Sequence, residues 1–210
     1  MKNLSTTFLF GIILFCTATV TNAMNFTLSD YTVLANSSDP GLVVHTKEIL
    51  SNNYNFNLES GASTKVPLFG ICTDESWVNE DDKSPENISV AMNFFTPDTT
   101  FAGAVNGNTV GNNILYGLFQ WGQVDWNGSA DLNIGPNNEG SLNVVLSDTI
   151  FNPGLLGLWN GSYKCGVVDA TFTYTAPPQS APVPEPATML LLGTGLAGLI
   201  GIHRKKLKRV

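Results

Sequence analysis

Five short polar residues recur at every second position between 125 and 133: Asp125, Asn127, Ser129, Asp131 and Asn133. A helix–loop–helix calcium loop presents oxygens at that spacing, but it also needs glycine at its sixth position and a bidentate glutamate at its twelfth. Those positions are Ala130 and Pro136 here, and Trp126, Ala130, Leu132 and Ile134 between the polar residues are apolar. Such alternation is what a half-buried strand produces, so the segment reads as a strand and no metal site is expected. A second acidic group, Asp74, Glu75, Glu80, Asp81 and Asp82, crowds the segment 73–86. It reads as a solvated, mobile charge run, with weak calcium binding as the alternative. A catalytic triad would rest on His45 alone, flanked by Val44 and Thr46 without a supporting motif; a structural histidine is the expectation. Sixteen acids between 24 and 184 always offer some pair for glycoside hydrolysis, so a pair carries no specificity. No phosphate-binding glycine loop is present. We therefore expect no catalytic residue and no cofactor. Trp121 and Trp126 are the candidates for stacking on sugar rings, from a set that includes Trp77, Trp159, Tyr54, Tyr116 and Tyr163; core packing is the alternative.

The elements that would position these residues are strands. Short runs rich in Val, Ile, Thr and aromatics alternate with Asn, Gly, Asp and Pro clusters. Nine strands are expected, over 26–34, 42–50, 54–59, 66–72, 88–95, 114–121, 125–134, 141–146 and 167–174. Breaks are expected at 38–41, 60–61, 106–108, 135–138 and 152–154. The fold class that follows is all-β, an antiparallel β-sandwich of jelly-roll-like kind, occupying residues 24–175. Cys72 and Cys165 are its two cysteines. In an oxidising compartment they form a disulfide by default, two buried free thiols being the alternative.

Charge separates the middle of the chain from its ends. Residues 24–184 hold four lysines and no arginine against sixteen acids, a net −12, whereas the whole chain of 210 residues carries −7. A body that acidic repels phosphate backbones, so nucleic-acid binding is excluded. Residues 1–23 read as a signal peptide: Lys2 leads, the apolar run Phe8–Phe15 follows, and small residues precede a cleavage between Ala23 and Met24. Cys16 follows Phe15, where a lipoprotein signal needs a small residue. At the other end, five of the eleven prolines fall within 176–186, a composition that favours an extended spacer. Residues 187–203 then read as a single transmembrane helix. Its uncharged stretch 187–202 would span ~24 Å at ~1.5 Å per residue, slightly under a ~30 Å hydrocarbon core. The cluster Arg204, Lys205, Lys206, Lys208 and Arg209 stops it and stays in the cytoplasm by the positive-inside rule, which leaves the acidic body outside.

Pro184, Glu185 and Pro186, followed by a Gly-rich apolar helix and a terminal Arg/Lys cluster, resemble the PEP-CTERM sorting signal of exosortase substrates. The resemblance covers about residues 182–210. It implies export across the inner membrane of a Gram-negative bacterium and a membrane-anchored precursor. Recognition near Pro184–Glu185–Pro186 by an exosortase would follow, with release to the cell surface or beyond. It also implies association with exopolysaccharide and biofilm matrix, and it makes the three motif residues substrate rather than catalyst. A plain single-pass anchor shares the topology without cleavage. For the central domain, a non-enzymatic surface or matrix component is the expectation, and a carbohydrate-binding module or glycan-active hydrolase the alternative.

Overall fold

In β5 (Glu86–Phe95), Ile88, Val90, Met92 and Phe94 are buried at every second position; in β11 (Gly166–Thr175), Val168, Ala170, Phe172 and Tyr174 are. This period of two places one face of each strand on a core and leaves the other wet. The computed structural model describes residues 23–135, 140–159, 164–177 and 192–196. The other strands among these are β1 (Met24–Leu34), β2 (His45–Glu48), β3 (Tyr54–Leu58), β4 (Ser63–Cys72) and β6 (Thr100–Ile114). They continue with β7 (Phe119–Trp126), β8 (Ser129–Asn133), β9 (Ser141–Leu146) and β10 (Thr149–Leu155).

Two antiparallel sheets form, one in the order β10-β7-β6-β5-β1-β3 and the other β2-β4-β11-β9-β8. Their inner faces meet in a sandwich-like core. Phe26 and Phe56 of the first sheet stack at 5.3 Å, and Phe56 stacks on Phe172 of the second at 4.9 Å. Phe94 meets the Phe172 ring edge-on at 5.7 Å, an arrangement that aromatic quadrupoles favour. Gly103 has no side chain where Leu132 packs, which allows β6 to close over β8.

Several strand boundaries differ from expectation. The break expected at 106–108 lies inside β6, where Asn106, Gly107 and Asn108 pair with Ser89, Ile88 and Asn87. The strand expected over 114–121 is instead a tight turn, 115–118, with Ile114 paired to Phe119 across it. The run 125–134 is split after Trp126, because Gly128 turns at φ 111° and starts β8. The break expected at 152–154 is a register shift within β10, between Phe151 and Gly154. Met24 opens β1 directly after Ala23.

The chain divides into two compact units, Met1–Ala176 and Pro177–Val210. In the second, residues 192–196 form a short helical segment. No helix among the described residues is long and apolar enough to cross a membrane. The expected signal sequence up to residue 22, Pro184–Pro186, most of 187–203 and the basic cluster 204–209 lie outside the described residues.

Candidate functional site

The segment between β4 and β5 is tied down at several points. Thr73 donates its backbone N–H to Asn152 Oδ1 at 2.9 Å, and Val78 donates its own to Gln120 Oε1 at 2.6 Å. Gly111 donates to the Asp82 carbonyl at 2.8 Å. A side chain at Gly111 would press on Val78 and Asp82, so glycine there lets the segment lie against β6. The expected solvated charge run is therefore partly interior: Asp82 is fully buried and Val78 nearly so.

Two carboxyl groups face each other at this point. Asp82 Oδ2 accepts the Asn79 N–H at 2.6 Å, while Oδ1 is buried with no donor among the described residues. Glu75 lies within hydrogen-bonding reach of Asp82, and its Oε1 accepts the Val43 N–H at 2.7 Å. Burial is the largest influence on Glu75. With the repulsion of Asp82 and Asp39 it outweighs the Val43 hydrogen bond and pushes the carboxyl up to about 7. A second carboxyl this near, together with burial, disfavours the charged form of Glu75. Beside them opens a cavity of about 420 Å³ lined by Asp39, Val43, Asp74, Glu75, Trp77 and Asn79. His45 stands at the rim and pairs with Asp74 at 3.3 Å, both well exposed.

The four tryptophans differ in exposure. Trp126 is half-buried, edge-on to Phe69, with Nε1 donating to the Ser147 carbonyl at 3.1 Å. Trp121 is half-buried too, and its Nε1 is enclosed without an acceptor among the described residues. Trp77 and Trp159 are the exposed pair, at 53% and 50%. Each packs beside a glycine, Trp77 at Gly157 and Trp159 at Gly154, and Lys164 Nζ stands 4.7 Å above the Trp159 ring. Sequence offered no signal for this, since the glycine beside Trp77 lies far from it along the chain.

The polar residues that mimic a calcium loop are bonded to amides instead. Asp125 accepts from Gln123 Nε2 at 2.8 Å, and Asp131 from Asn143 Nδ2 at 2.6 Å. Among the described residues no three His, Cys, Asp or Glu side chains are grouped to hold a metal ion. Cys72 and Cys165 form a disulfide between the end of β4 and the approach to β11, with their Cα atoms 4.6 Å apart. It closes a separation of 93 residues.

Comparison with known proteins assigns the C-terminal segment. Neither the curated proteins nor the solved structures give a match. Residues 182–205, which include Pro184, Glu185 and Pro186 and run to Lys205, match the PEP-CTERM protein-sorting motif. The chain thus carries a PEP-CTERM sorting signal, which implies export and processing by an exosortase at the cell envelope.

Proposed function

We propose that the protein is an exported, non-enzymatic component of the cell surface or extracellular matrix, delivered by its C-terminal signal and operating near exopolysaccharide. The observation that carries this reading is the sorting motif over 182–205, joined to a separate β-rich unit by proline-rich sequence. The disulfide supports it, because such bonds persist in oxidising compartments. In this reading the apolar tail anchors the precursor, Arg204–Arg209 stays inside, and the body 24–175 faces out.

The test is the intact mass of the protein recovered from its native host, with and without the exosortase. The expected product ends near Pro184 when the enzyme is present and retains Arg204–Val210 when it is absent. A mature mass that includes Arg204–Val210 in both strains leaves a plain anchor and overturns the processing step.

A further inference from the structure

One end of the first sheet carries an apolar surface that the sorting signal does not explain. Ile114 pairs with Phe119, and Phe119 with Leu155, so these three side chains form a row across β6, β7 and β10. Leu115 and Tyr116 form the adjoining turn, and Leu156 follows β10. All six are open to solvent, from 41% for Phe119 to a fully projecting Tyr116. With a large side chain offering roughly 150–250 Å², the six leave on the order of 600 Å² exposed. Isolated exposed apolar residues are ordinary; a patch of about 600 Å² stands at the upper end for a monomer, where such patches are often functional.

The backbone beneath is unusual. Leu115, Tyr116 and Leu156 have φ of 51°, 57° and 58°. Bulky residues rarely enter that left-handed region, and two-residue hairpin turns normally place Asn or Gly there. Asn would fit at lower cost and would not expose a hydrocarbon. Strain held in this way is a pointer to function.

We propose that this tip inserts into the interface of a lipid bilayer. Three observations favour lipid over a protein partner. Residues 99–124 and 149–163 contain no Asp, Glu, Lys, Arg or His, in a body of net −12. Part of the tip's polar backbone is bonded from within, which lowers the cost of entering an apolar medium. Gly117 N–H donates to the Ile114 carbonyl at 3.2 Å, Leu118 N–H to Leu115 at 3.2 Å and Leu156 N–H to Leu118 at 2.7 Å. Gln120 Nε2 caps the Gly117 carbonyl at 2.9 Å. Finally, half-exposed Trp77 packs at Gly157, next to Leu156, and Trp159 at Gly154, next to Leu155; interfacial aromatics sit in this way at headgroup level. Asp74 and Glu75 begin just beyond Trp77, which limits entry to that depth. A second copy is disfavoured, since a stable interface covers about 800 Å² per partner and would bring two acidic bodies together.

The test uses the full chain with Cys16→Ser and a polarity-sensitive dye on Tyr116→Cys, mixed with phosphatidylcholine vesicles. A matching label on Asp98→Cys reports the other end of β6, ~45 Å away at ~3.3 Å per residue. The dye at 116 is expected to brighten and shift to the blue, while that at 98 stays unchanged. Anionic phosphatidylglycerol should weaken the response. Leu115→Asn with Leu156→Asn should abolish it without unfolding the domain, because Asn accepts the left-handed conformation. Every variant keeps the tail, so whatever residues 177–210 do at the vesicle is common to all and the sorting assignment is not at stake. No response at 116, an equal response at 98, a response without vesicles that grows with protein concentration, or one that survives the Asn pair overturns the proposal.

Discussion

Glu75→Gln is expected to stabilise the domain above neutral pH and to leave it unchanged in acid. The glutamine keeps an oxygen for the Val43 N–H and cannot ionise beside Asp82. The folded state raises the Glu75 carboxyl from 4.5 to about 7, chiefly through burial and then through Asp82 and Asp39. At ~1.4 kcal/mol per pH unit that displacement corresponds to roughly 3 kcal/mol. Glu75 is only partly buried, so solvent screening lowers the effect to about 1–2 kcal/mol. The sign follows from proton counts. Below the unfolded value of 4.5 both states hold the proton and nothing is lost. Between 4.5 and about 7 the folded state keeps a proton that the unfolded chain has released, so this group makes stability fall as pH rises. Above that the full cost is present, and glutamine never incurs it. Urea unfolding with the disulfide intact, followed by tryptophan fluorescence at pH 4.5 and pH 8, measures the difference, and contributions from other carboxyl groups cancel between the two proteins. Equal stabilities at pH 4.5 and a gain of about 1–2 kcal/mol at pH 8 are expected. A gap that is the same at both pH values, or a loss at pH 8, refutes the carboxyl pairing.

Two further outcomes follow from the anchoring of the same region. Replacing Cys72 and Cys165 by alanine frees a 93-residue separation and should cost about 4–5 kcal/mol in the chain-entropy account, read as a lower urea midpoint; an unchanged midpoint would show that the bridge constrains nothing. Asn152→Ala removes both the acceptor for the buried Thr73 N–H and the donor to the Trp159 carbonyl at 2.6 Å. It should cost about 2–3 kcal/mol and speed hydrogen exchange at Thr73 and through the 73–82 segment. Unaltered exchange there would mean that Gln120 and Gly111 hold the segment without it.

Strict alternation made β5 and β11 legible, and the compartment argument led to Cys72–Cys165. Legibility failed where local chemistry pointed the other way. Asn106-Gly107-Asn108 has the composition of a turn, yet its partners Asn87–Ser89 and Asp125–Trp126 hold it extended in the middle of β6. The burial of Asp82 could not be read from a stretch of acids, because it depends on Gly111, which is distant in sequence and donates to its carbonyl. Tertiary contacts override composition in both cases, and both segments gain a partner by it.

The turn at 115–118 is a different kind of failure. Ile, Leu, Tyr, Leu and Phe form strands by propensity, and nothing in 114–119 except Gly117 marks a reversal. The chain reverses there all the same, with Leu115 and Tyr116 in a backbone region that suits Gly or Asn. Unlike the 106–108 segment or Asp82, these side chains gain no burial: Leu115 is 63% exposed and Tyr116 fully so. Folding alone gives a sequence no reason to hold this combination, since a polar residue would lower both the strain and the exposed hydrocarbon. When local preference, packing and solvation all favour a different residue at the same positions, the benefit must come from something outside the folded unit. A lipid interface supplies that benefit by taking up the side chains that the domain leaves bare.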